Sequence, residues 1–416
     1  MSPDARSAFV YLKLARLPLF LAMCLGVIAL FARVPGGIWV LVPSVVLFCL
    51  LFSRREHSVT EWVLVYSLAL LSGFRMASVA LYQGTLLDAL TPLVMLAVAI
   101  AVISSPLGLR KALSASVLVG FLLVVCLGVW EALAGQSLAI TRYGNSGMSP
   151  LVLQDRFVVS ALFPNYNDYS VVLFFVSSFF LLDLFDSRSS LRFKSLCVVL
   201  LVLLIAHGLY MGSRGFQLAI GVALFMIVLA KSGGIWRLLF PTTVSLSAVI
   251  FVLIFSAEFH QYFFDVSTAI RLRTIAVFGE VLVDNPSALL FGFPSLSVYT
   301  KEMAIYCDLC LVDPHNLILE VLALHGVFGV VFLFVLLISA LRFVFLDNNS
   351  KGGVLARYFS LLVVTSPFWG VISSSSLKYF YIYFFAIFFI GLVAIGRHNA
   401  QGAAAEPRYH GVVSTE

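Results

Sequence analysis

SLCVVLLVLLIAHGLYMGSRGFQLAIGVALFMIVLAK, residues 195–231, is the stretch whose reading decides the fold. Two apolar runs, 195–211 and 215–231, flank the polar turn Met211-Gly212-Ser213-Arg214-Gly215. Each run is about as long as a helix that crosses a bilayer, and neither carries a charge before Lys231. The pattern recurs outward in both directions. Twelve such segments are read, at 17–33, 37–53, 60–77, 86–104, 112–131, 165–183, 195–211, 215–231, 238–256, 317–341, 355–373 and 379–396. The expected fold class is an all-α polytopic membrane protein.

Composition agrees. Of 416 residues, 61% are hydrophobic and 11% charged, and 38 are Phe; the mean hydropathy is +1.06. A soluble chain carries about a quarter charged residues. This one lacks the polar atoms to cover itself in water, which excludes a soluble globular domain, a disordered chain and a coiled coil.

The net charge of +6 sorts by side. With the N-terminus in the cytoplasm, seventeen of the 26 basic residues fall inside. The nine outside are Arg33, Arg75, Arg142, Arg156, Arg214, Arg271, Arg273, Lys301 and Lys378. Such a bias marks the cytoplasmic side, and an even span count places both termini there. The first apolar run follows the basic Arg6, Lys13 and Arg16 without a small-residue cleavage signal, so it is expected to remain as a span.

The expected organisation is spans one to nine over 1–256 with a smaller outer loop at 132–164, a large outer loop at 257–316, spans ten to twelve over 317–396, and a disordered cytoplasmic tail at 397–416. Cys307 and Cys310 stand in the large loop, where a disulfide, two free thiols and a metal pair all remain open. The chain has no Gly-x4-Gly-Lys-Ser/Thr loop, no His-Glu-x-x-His, no Gly-x-Ser-x-Gly and no Asp-x-Asp. Basic and aromatic residues are not interleaved on any polar stretch, which sets nucleic acid aside as a partner.

An ionisable group near hydrocarbon costs several kcal/mol unless it is paired or used, so the outer polar residues carry the information. Arg214, in the tight turn, is either a guanidinium clamp for an anion or an arginine that snorkels at a helix end. Arg271 and Arg273 open a helical stretch that runs to Asp284-Asn285-Pro286; two positions are about 200° apart, so the two arginines cannot share a face. Asp313-Pro314-His315-Asn316 marks a helix start. His315 there is either a general base or a neutral histidine that orders the loop. Arg156 with Pro164-Asn165 forms a smaller cluster. His207 and His325 are expected to be hydrogen-bonded within the bundle.

Taken together these elements resemble the O-antigen ligase and O-antigen polymerase superfamily of bacterial envelope enzymes. Ser213-Arg214-Gly215 is similar to that family's Ser-Arg-Gly element. Arg271, followed by Pro286 and Leu289 to Gly292, resembles its Arg…Pro-x-x-Gly stretch. His315-Asn316-x-x-Leu319-Glu320 with Gly326 and Gly329 resembles its His-Asn-x-x-Leu…Gly-x-x-Gly element. The matches keep the family's order over about residues 150–335. Ile275 stands where the family often has Trp, Phe291 precedes Gly292 where small residues are usual, and His325 holds a position often polar or acidic.

The resemblance implies a metal-independent, inverting glycosyltransferase of the bacterial inner membrane, working on the periplasmic side without a cofactor. The implied donor is a glycan on undecaprenyl diphosphate. The implied acceptor is lipid A–core for a ligase, the preferred reading, or a lipid-linked repeat unit for a polymerase. By the same resemblance Arg214 and Arg271 bind the donor diphosphate and His315 is catalytic, with Arg156, Asn316 and Arg273 as possible additions. A transporter of lipid-linked glycans is the alternative of another class; the span interiors, nearly free of charge, disfavour it.

Overall fold

The computed structural model describes residues 59–81, 93, 96, 100, 107–135, 152–153, 156–157, 159, 161, 166–186, 189–232, 266–307, 316–346 and 353–370. The expected spans at 17–33, 37–53, 238–256 and 379–396, nearly all of 86–104, and the tail at 397–416 lie outside them. Within the described residues the chain is helical apart from one antiparallel pair of two-residue strands.

The elements, in chain order, are α1 (Val59–Leu81), α2 (Leu107–Ala134), β1 (Val152–Leu153), β2 (Arg156–Phe157), α3 (Tyr166–Leu184), α4 (Leu191–Tyr210), α5 (Arg214–Lys231), α6 (Val266–Asp284), α7 (Pro286–Phe291), α8 (Leu296–Tyr306), α9 (Leu317–Leu346), α10 (Gly353–Val364) and α11 (Ser366–Trp369). Six of them, α1 to α5 and α9, are long and apolar enough to cross a membrane. They coincide with six of the expected spans. The segment expected at 355–373 is described as far as Gly370, as α10 and α11 with the single residue Thr365 between them.

Helix α3 has no face given over to polar residues, and 83% of its span is buried, Asp168, Ser177, Ser178 and Asp183 included. A helix without a polar face belongs inside a bundle, and α2, α4, α5 and α10 surround this one. By contrast only 22% of the α4 span is buried. Neighbours run antiparallel. Phe121 meets Phe175 and the Tyr169 hydroxyl donates to the Val125 carbonyl, which fixes α2 against α3. Tyr358 donates to the Phe175 carbonyl at 3.0 Å and packs on Phe179, which fixes α10 against α3.

The bundle therefore has two ends. At one end lie Lys194, Lys231 and Arg357, with Arg357 held 2.5 Å from the Asp186 carboxylate. Nearby, Asp183 accepts hydrogen bonds from Ser189 (2.9 Å) and Cys197 (3.8 Å). The other end carries the turn before Arg214, the start of α9 and the end of α10.

Helices α6, α7 and α8 form a layer on the first part of α9. Its core is Phe278, Val281, Leu282, Ala288, Phe293, Tyr299 and Met303, with Ala323 from α9. These helices occupy part of the expected outer loop at 257–316, and none of the three has the length and apolarity of a span. The Tyr306 hydroxyl donates to Asp284 (2.5 Å) and ties α8 to α6; the carboxylate acceptor holds the phenol above its usual pKa. Cys307, which ends α8, is buried and disulfide-bonded; Cys310 lies outside the described residues.

The layer is joined to α9 at a backbone crossing. Helix α9 breaks at Gly326 (φ 61°, ψ −164°), and Gly292 (φ 77°) ends α7 directly against it. A Cβ on Gly292 would overlap the backbone of Leu324 and His325, and one on Gly326 would overlap the backbone of Leu290. The freed polar groups are taken up locally. The Phe293 N–H donates to the Ala323 carbonyl (2.6 Å), and Ser78 of α1 donates to the Gly292 carbonyl (2.5 Å). Phe74, Phe291 and Phe328 stack over the crossing, with 3.8 Å between the Phe74 and Phe328 ring centres. Phe291 thus packs against α1 and α9.

Gly326→Ala combines left-handed strain with overlap and should lower stability by about 3 kcal/mol or more. Gly279→Ala, in the open on α6 with nothing near its Cβ position, should be neutral or stabilise by up to about 1 kcal/mol. Thermal unfolding of the two purified variants in detergent measures the contrast.

Candidate functional site

The turn between α4 and α5 is closed by its own backbone. The N–H groups of Met211, Gly212 and Ser213 donate to the carbonyls of His207 (3.0 Å), Leu209 (2.9 Å) and Gly208 (3.4 Å). Gly212 supplies the left-handed residue that such a helix end uses (φ 64°). Ser213 is buried, and its hydroxyl accepts the Phe216 N–H at 3.4 Å as the N-cap of α5. Arg214 is then the first residue of α5 and half-buried. A helix start carries partial positive charge and N–H groups aimed outward. A guanidinium there adds a full charge and a planar donor fork, so the place suits an anion.

Beneath this turn lies a polar group set among apolar helices. Tyr169 is fully buried, with its hydroxyl 3.0 Å from His207 Nε2 and the two rings edge-on. His207 is therefore hydrogen-bonded within the bundle, as its place in an apolar run led us to expect. Glu131, also fully buried, accepts the backbone N–H of Ala161. Ala161 has φ 50°, a left-handed value uncommon for alanine. The Glu131 carboxylate thus pins the segment just after β2 to the top of α2. Arg156 begins β2, where it pairs with Leu153.

Helix α9 starts as the sequence suggests. Asn316 Oδ1 accepts the N–H groups of Ile318 (3.0 Å) and Leu319 (3.3 Å). Its side-chain oxygen is thus committed to capping the helix. Glu320, one turn on, is buried, and so is His325 beside the break. His315 lies outside the described residues.

The two loop arginines separate as their spacing requires. Arg271 is half-buried with its Nε enclosed, while Arg273 is exposed. Arg271 belongs to the α6–α8 layer and Arg214 to the α3–α5 bundle; α9 touches both parts. The segments of Gly292 and Gly326, 34 positions apart, meet in backbone contact. Helix α11 packs on α5, and Gly370 sits against Leu317, linking the helix of Arg214 to the start of α9. Among the described residues no group of three or more His, Cys, Asp or Glu is placed to hold a metal ion.

Sequence reasoning missed Glu131 and Tyr169. Glu131 had a signal: it is the one acid in the run from Leu107 to Ala134, and an acid in such a run needs a partner or a task. Tyr169 had none, because a tyrosine in an apolar helix is ordinary. Glu131→Ala should leave the Ala161 N–H unsatisfied and cost about 1–3 kcal/mol in thermal unfolding, whereas Glu131→Gln, which keeps an acceptor, should stay within about 1 kcal/mol of wild type.

No protein-family model and no curated protein matches this chain.

Proposed function

We propose that the chain is a metal-independent, inverting glycosyltransferase that moves a glycan from undecaprenyl diphosphate to an acceptor hydroxyl. It works at the periplasmic face of a bacterial inner membrane, with both termini in the cytoplasm. The acceptor is lipid A–core, the reaction of an O-antigen ligase. One observation carries this reading: a half-buried arginine opens a membrane helix at the end of the bundle where α9 begins with Asn316. The motif resemblance supplies the substrate class, and the clustering of the lysines and Arg357 at the opposite end supports the orientation.

In the proposed reaction the acceptor oxygen attacks the anomeric carbon. The bond from that carbon to the diphosphate oxygen breaks, and negative charge develops on the diphosphate. Arg214 and Arg271 take up that charge in surroundings of low dielectric, where fixed donors act most strongly. His315 receives the proton of the acceptor hydroxyl. Asn316 holds the start of α9 and so the residue before it, and Arg156 is proposed as a further cation for the diphosphate. Arg273, exposed, is left to lipid headgroups or solvent.

Arg214→Ala and His315→Ala should each abolish glycan transfer while the protein remains in the membrane. Loss of one charge-stabilising contact typically lowers rate by about 10²–10³-fold, so wild-type transfer in both variants would remove the assignment. Arg271→Ala should be more severe than Arg273→Ala; the reverse ranking moves the site by two residues. A deletion strain separates ligase from polymerase: bare core follows loss of a ligase, and core carrying a single repeat follows loss of a polymerase.

A further inference from the structure

Helix α6 turns one side to its own layer: Thr274, Phe278, Val281 and Leu282 are buried. A second apolar strip runs beside that side. Leu272, Ile275, Gly279 and Val283 recur every three or four residues, the spacing of one helix face. All four are exposed, and so is Ala276 among them. Leu272, Ile275 and Val283 are 54%, 38% and 78% exposed, and nothing lies near the Cβ position of Gly279. The remaining side holds Arg273, Glu280 and Asp284, also exposed. At 3.6 residues per turn the strip and the buried side are each about 100° wide, and the charged residues lie between them on the far side. The helix therefore has three faces: one against protein, one apolar and open, and one charged.

Single exposed apolar residues are ordinary on any surface. A strip that continues for about three turns calls for a partner or a membrane. Helix α6 lacks the apolarity of a span, because its charged face would have to enter hydrocarbon. A helix with one apolar and one charged face instead lies at the membrane boundary, with the first in the acyl region and the second in water.

The neighbours of the strip identify what covers it. Helix α7 follows directly and exposes Leu289 and Leu290. The Leu290 backbone lies against Gly326, and Phe291 packs on Phe74 of α1 and Phe328 of α9. Beside this crossing α9 exposes Val327, Phe328 and Val331, and α1 exposes Met76. Both α1 and α9 are long and apolar enough to cross a membrane, so their open apolar side chains face acyl chains. The strip on α6 thus runs through α7 into a bilayer-facing surface. Beyond Val283, the exposed Tyr306 donates to Asp284. A tyrosine with an open ring and a hydrogen-bonded hydroxyl is a residue that favours the membrane boundary.

We infer that α6 is an interfacial helix: the strip from Leu272 to Val283 lies in the acyl region of the adjacent leaflet, with Arg273, Glu280 and Asp284 turned to water. The occupant of the strip is phospholipid. The α6–α8 layer is then seated in the membrane surface rather than held above it as a free loop. This goes beyond the proposed reaction and does not depend on it, since it concerns only where the layer sits.

The test places the photoreactive residue p-benzoylphenylalanine in the full chain, in place of Ile275, Val283 or Glu280 in turn. Leu203 of α4, 60% exposed on a membrane helix, serves as the lipid-facing reference. Each chain is irradiated in the membranes of the cells that express it, then purified and weighed by mass spectrometry. At Ile275 and Val283 the chain should gain the mass of one phospholipid, in a yield within a few-fold of the reference. At Glu280 the yield should be about a tenth of the reference or less, because that face stays in water. All the chains should melt close to wild type, because the replaced side chains are exposed.

Loss of the lipid adduct at either Ile275 or Val283 overturns the inference, since that side would then face water. Crosslinks there to a second copy or to another protein overturn it too, because the strip would be a protein interface. Equal lipid yield at Glu280 also overturns it, because the helix would be submerged on both faces. A chain that melts well below wild type shows the replaced side chain to be packed against protein, with the same result.

Discussion

Inside a bilayer no water is at hand to satisfy a backbone N–H or C=O, so each helix break must be answered by a neighbour. That constraint shapes the site end of this protein. The break in α9 at Gly326 is answered by the loop after α7, through Phe293 to Ala323 and Ser78 to Gly292. The break after α10 is answered by its own residue Trp369, whose indole N–H donates to the Leu362 carbonyl. Each repair fixes one element against another. The first locks the α6–α8 layer to α9, and the second brings α11 between α5 and α9.

The resulting candidate site is assembled from the ends of antiparallel helices. Tyr169 and Glu131 are buried anchors for the ends of α3, α4 and α2, and Arg214 stands on the turn that these anchors support. At the far end the Asp186–Arg357 pair joins the end of α3 to the start of α10, with the two side chains 3% and 16% exposed. Removing one partner of such a pair typically costs about 3–5 kcal/mol, because the other charge is left buried and alone. Helix α3 is thus pinned at both ends, which gives the arginine turn a fixed floor.

How much of this was legible in the sequence depended on distance along the chain. The α4–α5 turn was readable because its signals are local: two apolar runs around a glycine, a serine and an arginine within five residues. The start of α9 at Asn316 was readable for the same reason, and the opposite faces of Arg271 and Arg273 followed from helical spacing alone. What escaped depends on pairings far apart in sequence. Glu131 meets Ala161 and Tyr169 meets His207 only once the helices are packed. Pro367 was visible throughout, yet its effect on the helix, a one-residue interruption at Thr365 with Trp369 packed edge-on to Phe175, depends on contacts with another helix. Phe291 looked like a departure from pattern because its stacking partners, Phe74 and Phe328, come from two other helices.

The break in α9 also bears on membrane thickness. Unbroken, its 30 residues would extend about 45 Å at 1.5 Å each, well beyond a hydrocarbon layer of about 30 Å. The portion from Gly326 to Leu346 is by itself long enough to cross. The portion before the break is surplus to crossing, and it is the part that packs with the α6–α8 layer. Insertion depth and site geometry are therefore carried by separate halves of one helix. A thicker or thinner bilayer can be accommodated below Gly326 by tilt, while the half that begins at Asn316 keeps its partners.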